Sequence, residues 1–163
     1  MLDGEKKPDQ AIEAFRKARE IAPSDSYLEA DSHYEIARLN LKAWLDSPGP
    51  GNAPQLERSI AEYDAWLQRS WTKIMTKMWG HYHQACALKE RLKFDDGGDR
   101  AALQRRFDSH TLQFKTEADS LVGYRKYSLR FVAFLTMSPT VDYLPGEPLR
   151  CGLDDLLSPY LVR

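Results

Sequence analysis

The chain holds only two cysteines, Cys86 and Cys151, among its 163 residues. Far apart in sequence, they set up no disulfide framework, and reduced thiols in a cytoplasmic protein are the expectation. No apolar run approaches the roughly 18–20 residues that a membrane span needs, so no membrane partner is expected. The start, Met1-Leu-Asp-Gly-Glu-Lys-Lys7, lacks the apolar core of a secretory leader. Neither sign of charge is in excess: the net charge is −1 and the pI is about 6.4. That pI falls below the usual basic footprint of a nucleic-acid domain. No phosphate loop, dinucleotide fingerprint or Ser/His/Asp pattern occurs, and no cofactor is expected.

What is present is helical periodicity. With 42% hydrophobic and 11% aromatic residues, the chain is rich enough in apolar groups to build a core. Ala11, Phe15, Ala18 and Ala22 recur at i, i+4, i+7 and i+11, one stripe of a helix predicted over Pro8–Ile21. Proline suits its first turn, where the missing N–H has no helical role. Ala22-Pro23-Ser24-Asp25-Ser26 ends it, because a residue before proline is pushed out of the helical region. A second helix is predicted over Tyr27–Leu45, with Ala30, Ala37 and Leu41 on its stripe. Ser47-Pro-Gly-Pro-Gly-Asn-Ala-Pro54 then reads as a loop, since prolines and glycines at that density break helices.

The spacing of Ala11, Phe15, Ala18 and Pro23 resembles the second helix of a tetratricopeptide (TPR) repeat. Tyr34-Glu-Ile36-Ala37-Arg resembles the first helix of a following repeat, about four residues late. The resemblance implies helical pairs that bind other proteins. It carries no binding residue to this chain, because the lysines and asparagines of the family's carboxylate clamp have no counterpart here. The chain opens at the turn before a second-type helix, so a piece of a larger helical-repeat protein is the expectation.

Beyond residue 55 the apolar positions step by three or four. Leu56, Ile60, Tyr63, Leu67, Trp71, Ile74, Met78, Tyr82, Ala85, Leu88 and Leu92 form one run. Leu103, Phe107, His110, Phe114, Ala118, Leu121, Tyr124 and Phe131 are the main positions of a second. Between them lies Phe94-Asp-Asp-Gly-Gly-Asp99, a turn with Asp99 placed to cap a new helix. Folding there brings residue n near residue 193 − n, so Met78 meets Phe114. Two architectures follow. One is a long antiparallel hairpin; the other is four shorter stacked helices, with breaks at Ser70-Trp71 and Val122-Gly123. The expected organisation is all-α and one domain: a TPR-like pair over 1–46, a loop over 47–54, the hairpin or stack over 55–138, and an extended tail over 139–163.

Chemistry-bearing residues are sparse. His83 and Cys86 are spaced to share a metal, but His81 lies about 200° from His83 around a helix and cannot join them. In the hairpin register His110 falls beside residue 83, near Cys86. No glycine-rich turn or helix N-terminus is there to activate the thiol. No metal or catalytic residue is expected. Asp95 to Asp99 reads as a turn and cap rather than a calcium loop, lacking alternating ligands and a distal glutamate.

Residues 71–130 carry 12 Lys and Arg against 7 Asp and Glu, a mildly basic middle. Arg125 and Lys126, with Arg105, Arg106 and Arg130, are the residues a nucleic acid or an acidic partner would meet. Trp66 and Trp79 fall beside the apolar stripe, and either pack on another layer or anchor a partner. The expected function is a non-catalytic protein–protein interaction module, a scaffold, adaptor or sensor segment. The alternatives are a nucleic-acid-binding domain using the 100–130 face and a cysteine-dependent enzyme using Cys86 with a histidine.

Overall fold

The computed structural model describes residues 8–69, 74–94, 99–125, 149 and 151–160; within the helices, the side chains at 74–76 and 121–125 fall outside that description. Among the described residues the fold is all-α, with no strand. The described residues form six α-helices: α1 (Pro8–Ile21), α2 (Tyr27–Asp46), α3 (Ala53–Leu67), α4 (Ile74–Lys93), α5 (Arg100–Arg125) and a short α6 (Asp154–Leu157). The chain divides into two compact units, Met1–Thr72 and Lys73–Arg163.

The first unit is a three-helix arrangement with α2 packed on both α1 and α3. Helix α1 keeps the predicted bounds. Ser26 caps α2, its hydroxyl accepting from the Glu29 N–H at 3.2 Å. Glu29 reaches back to the Asp25 N–H, a variant of the reciprocal capping box. Asp25 closes the turn with a φ of 53°, the left-handed region that short polar residues tolerate. The core is Ile12, Ala30, Tyr34, Ala37, Leu41, Trp44, Leu56, Ile60 and Tyr63, all buried. Burying each large aliphatic member contributes about 1.5–3 kcal/mol.

The loop expected over 47–54 is shorter than its composition suggests. Pro50–Asn52 forms a 3-10 turn, and α3 already starts at Ala53 with Pro54 in its first turn. Proline is accepted there because no helical acceptor waits for its N–H. The first apolar run is likewise not one helix. Helix α3 ends at Leu67, α4 begins at Ile74, and α3 packs against α2 in the first unit. The continuous hairpin is therefore corrected to shorter helices on this side, with α3 already ended at Leu67; the predicted break at Ser70-Trp71 lies outside the described residues. The other predicted break is absent, since α5 runs unbroken through Val122-Gly123.

In the second unit α4 and α5 pair along their length. Asp99 caps α5 as expected, its Oδ1 accepting from the Ala102 N–H at 2.9 Å. The expected register holds where Trp79 lies against Phe114, but His110 lies against His81, two residues from the position expected for it. Helix α4 is buried at every position from Met78 to Leu88, well beyond a single stripe. Part of that cover is the C-terminal segment, where Leu156, Leu157 and Tyr160 are buried. The predicted tail is thus docked where it is described.

Candidate functional site

Helix α1 carries Ala11, Ala14, Phe15, Ala18 and Ile21 along one side, with Ala22 following directly after it. Only its neighbour Ile12 is buried; Ala11, Phe15, Ala18 and Ala22 are half-covered, and Ala14 is exposed. Ile21 is 83% exposed at the end of the helix, and Tyr27 and Leu28, across the turn, are 53% and 43% exposed. Large apolar groups are thus left open on both sides of one turn, which makes it a candidate contact surface. Burial, then the Asp31 carboxylate, raises the Tyr27 hydroxyl above its ordinary pKa, so it remains a neutral donor.

A polar network holds α1 in place behind this surface. The Arg19 guanidinium donates to Glu62 Oε2 of α3 at 2.8 Å. His33 of α2 lies between them, its Nδ1 2.6 Å from the same carboxylate oxygen. Its Nε2 lies 3.1 Å from Arg69 Nη2, and Arg69 also donates to Glu29 Oε1 at 2.7 Å. The shorter contact with Glu62 favours Nδ1–H as the donor there, with Nε2 accepting from Arg69; Arg19 Nη1, 3.0 Å from the same Nδ1, then donates to Glu62 alone. Burial alone would raise both carboxyls. The Asp25 N–H and Arg69 outweigh it at Glu29, and His33 with Arg19 outweighs it at Glu62, so both lie below the ordinary glutamate value. The network links α1, α2 and α3 with opposite charges matched.

Elsewhere on α2, burial and then Glu35 push Asp31 up to about 6. Burial raises Glu35 as well, against the pull of Arg38, which donates to it at 2.7 Å.

In the second unit, His81 and His110 face each other with Nδ1 atoms 2.8 Å apart. Glu117 Oε1 lies 3.8 Å from His81 Nε2. Burial, then His110 and Lys77, push His81 down to about 4. Burial pushes Glu117 up to about 7, with Lys77 opposing. The register places His110 against His81 and not beside residue 83. His83 is instead buried, its Nε2 accepting the Leu149 N–H at 3.3 Å. Among the described residues no group of three or more His, Cys, Asp or Glu is arranged to hold a metal ion.

The reading of the cysteines is corrected. Cys86 and Cys151 form a disulfide, with Cα atoms 5.6 Å apart across 65 residues of sequence. Distance along the chain gave no sign of it, because the tail returns to α4 only in the folded state. The bonded sulfur of Cys86 has no thiolate to offer, and the reduced-thiol argument for a cytoplasmic setting falls with it. What stands is that no described helix is long and apolar enough to cross a membrane.

Of the proposed partner-binding residues, Trp66 belongs to the first unit and Trp79 to the second. Trp66 is buried against Tyr34, ring centroids 4.9 Å apart. Trp79 is buried against Tyr82 and Phe114, at 6.0 and 6.3 Å. Each indole is enclosed in its own unit, in agreement with packing on a neighbouring helix and not with an open anchor. Arg125 closes α5, its side chain outside the described residues, and Lys126 lies outside them altogether. The surface around Ile21, Tyr27 and Leu28 was missed in sequence; its signal was an apolar residue just before Pro23 and two more just after Ser26. Comparison with protein-family models, with curated proteins and with solved structures finds no match.

Proposed function

We propose that this chain is a non-catalytic protein–protein interaction module, with its partner surface on α1 and the turn into α2. The observation that carries this reading is the open apolar group Ile21, Tyr27 and Leu28, continuous in sequence with the half-covered stripe of α1. Such a surface fits an apolar helix face of another protein, or of the remainder of a larger helical-repeat protein. Aromatic and aliphatic side chains beside polar rims are what such contacts use. The TPR-like spacing of Ala11, Phe15, Ala18 and Pro23 supports the same reading, since repeat helices of that kind stack on neighbours.

The test uses the full chain as bait, beside a variant carrying Ile21→Asp and Leu28→Asp and a control carrying Leu112→Asp on α5. A protein captured by the parent and the control, and lost from the double variant at unchanged helical content, supports the proposal. Equal capture by all three sinks it.

A further inference from the structure

The second unit grips its C-terminal segment by the backbone. Tyr82, His83, Cys86 and Lys89 occupy positions i, i+1, i+4 and i+7 of α4. The Tyr82 hydroxyl donates to the Leu149 carbonyl, and the Leu149 N–H donates to His83, both at 3.3 Å. Lys89 Nζ donates to the Cys151 carbonyl at 3.2 Å and to the Gly152 carbonyl at 2.5 Å. Gly152 has a φ of 69°, in the left-handed region that favours glycine, and a Cβ there would meet Lys89 Nζ at 2.9 Å, so the lysine would have to shift. Further along, Tyr160 packs on Phe114 and donates to Asp119 at 2.7 Å. The disulfide is the one covalent tie in this set.

We propose that Cys86–Cys151 is a reversible redox clasp, a substrate for a dithiol reductant, and that opening it releases the strap formed by Leu149 and residues 151–160 from α4. Three observations carry this. The ties at Leu149, Cys151 and Gly152 are hydrogen bonds to main-chain groups, which water replaces once the strap lifts. Cross-linking residues 65 apart removes chain entropy from the open state, so losing the cross-link favours release. The Cα separation of 5.6 Å also suits a disulfide without backbone movement, so the docked thiols are poised to rejoin.

The chemistry is thiol–disulfide exchange. A thiolate of the dithiol attacks Sγ of Cys151, which belongs to the less enclosed of two buried residues, Cys86 being fully enclosed. The S–S bond breaks, and its electron pair leaves on Cys86 Sγ, which takes a proton. The second thiol of the reductant then attacks the mixed disulfide. It forms the reductant's own disulfide and releases Cys151, which takes the second proton. Two electrons and two protons pass from the dithiol to the clasp. The freed strap exposes Tyr82, His83 and Lys89, a row of groups suited to an extended main chain.

The experiment is hydrogen exchange by mass spectrometry on the full chain, purified without reductant, before and after dithiothreitol and after reoxidation. Alkylation of the denatured protein counts its free thiols at each stage. Expected are no free thiols at first and two after reduction. Amides of 151–160 then exchange about tenfold or more faster, while amides of 78–88 change less than about twofold. Cys151→Ser reproduces the released state without reductant. Reactive thiols in the untreated protein, or a disulfide that resists the dithiol under native conditions, overturn the proposal. So does unchanged strap protection, or loss of protection in α4 and strap together, which marks a structural staple.

Discussion

The Nδ1 atoms of His81 and His110 face each other at 2.8 Å across the α4–α5 interface. One must donate and the other accept, so the contact requires at least one neutral ring. Glu117 and His110 of α5, with Lys77 of α4, are the charged or titratable partners found around His81.

This pair predicts opposed pH effects. His81 is held down at about 4, from 6.5. The unfolded chain therefore binds more protons between those values, and this contribution to stability is lost as pH falls. Glu117 is raised to about 7, from 4.5, so its contribution is complete below 4.5 and is lost as pH rises through 7. Urea midpoints at pH 7.5 and pH 5 check this. Relative to the parent, His81→Gln gains stability on acidification and Glu117→Gln loses it. The same pH response in all three proteins refutes the assignment.

The network behind α1 predicts a stability cost. Glu62→Ala leaves the Arg19 guanidinium and the His33 N–H without their carboxylate, a loss of about 1–3 kcal/mol. A double-mutant cycle with Arg19→Ala recovers part of it as coupling. Both Glu62 and Glu29 have depressed pKa values, so their contribution is present above the ordinary glutamate range and disappears as pH falls through the folded values. Additive single effects in urea melts mean the network does not couple these helices.

The tryptophans predict a core effect. Trp66→Ala and Trp79→Ala each lower the urea midpoint by an amount equivalent to about 3–5 kcal/mol, as enclosed aromatic rings do. Variants as stable as the parent, with partner capture lost, would return these residues to a binding surface.

Much of the helical plan was legible in the residues. Pro8 and Pro23 bracket α1, Asp99 caps α5, and Trp79 meets Phe114 in the register read from the sequence. These are local signals, carried by φ restrictions and by side chains that bond the nearest backbone. The break between Leu67 and Ile74 was harder to read. Steps of three and four continue through it, and periodicity alone does not separate one long helix from two that bury the same stripe against different neighbours.

Composition, capping and helical period therefore determined an all-α chain and most of its helix ends, because those depend on neighbours a few residues away. Tertiary structure alone decided which surfaces were left over. Trp66 and Trp79 were enclosed by rings distant in sequence, Ile21 was left open, and His110 was turned to His81. Cys86 was joined to Cys151 because the chain between them returns to α4, a closure over 65 residues that no local spacing encodes.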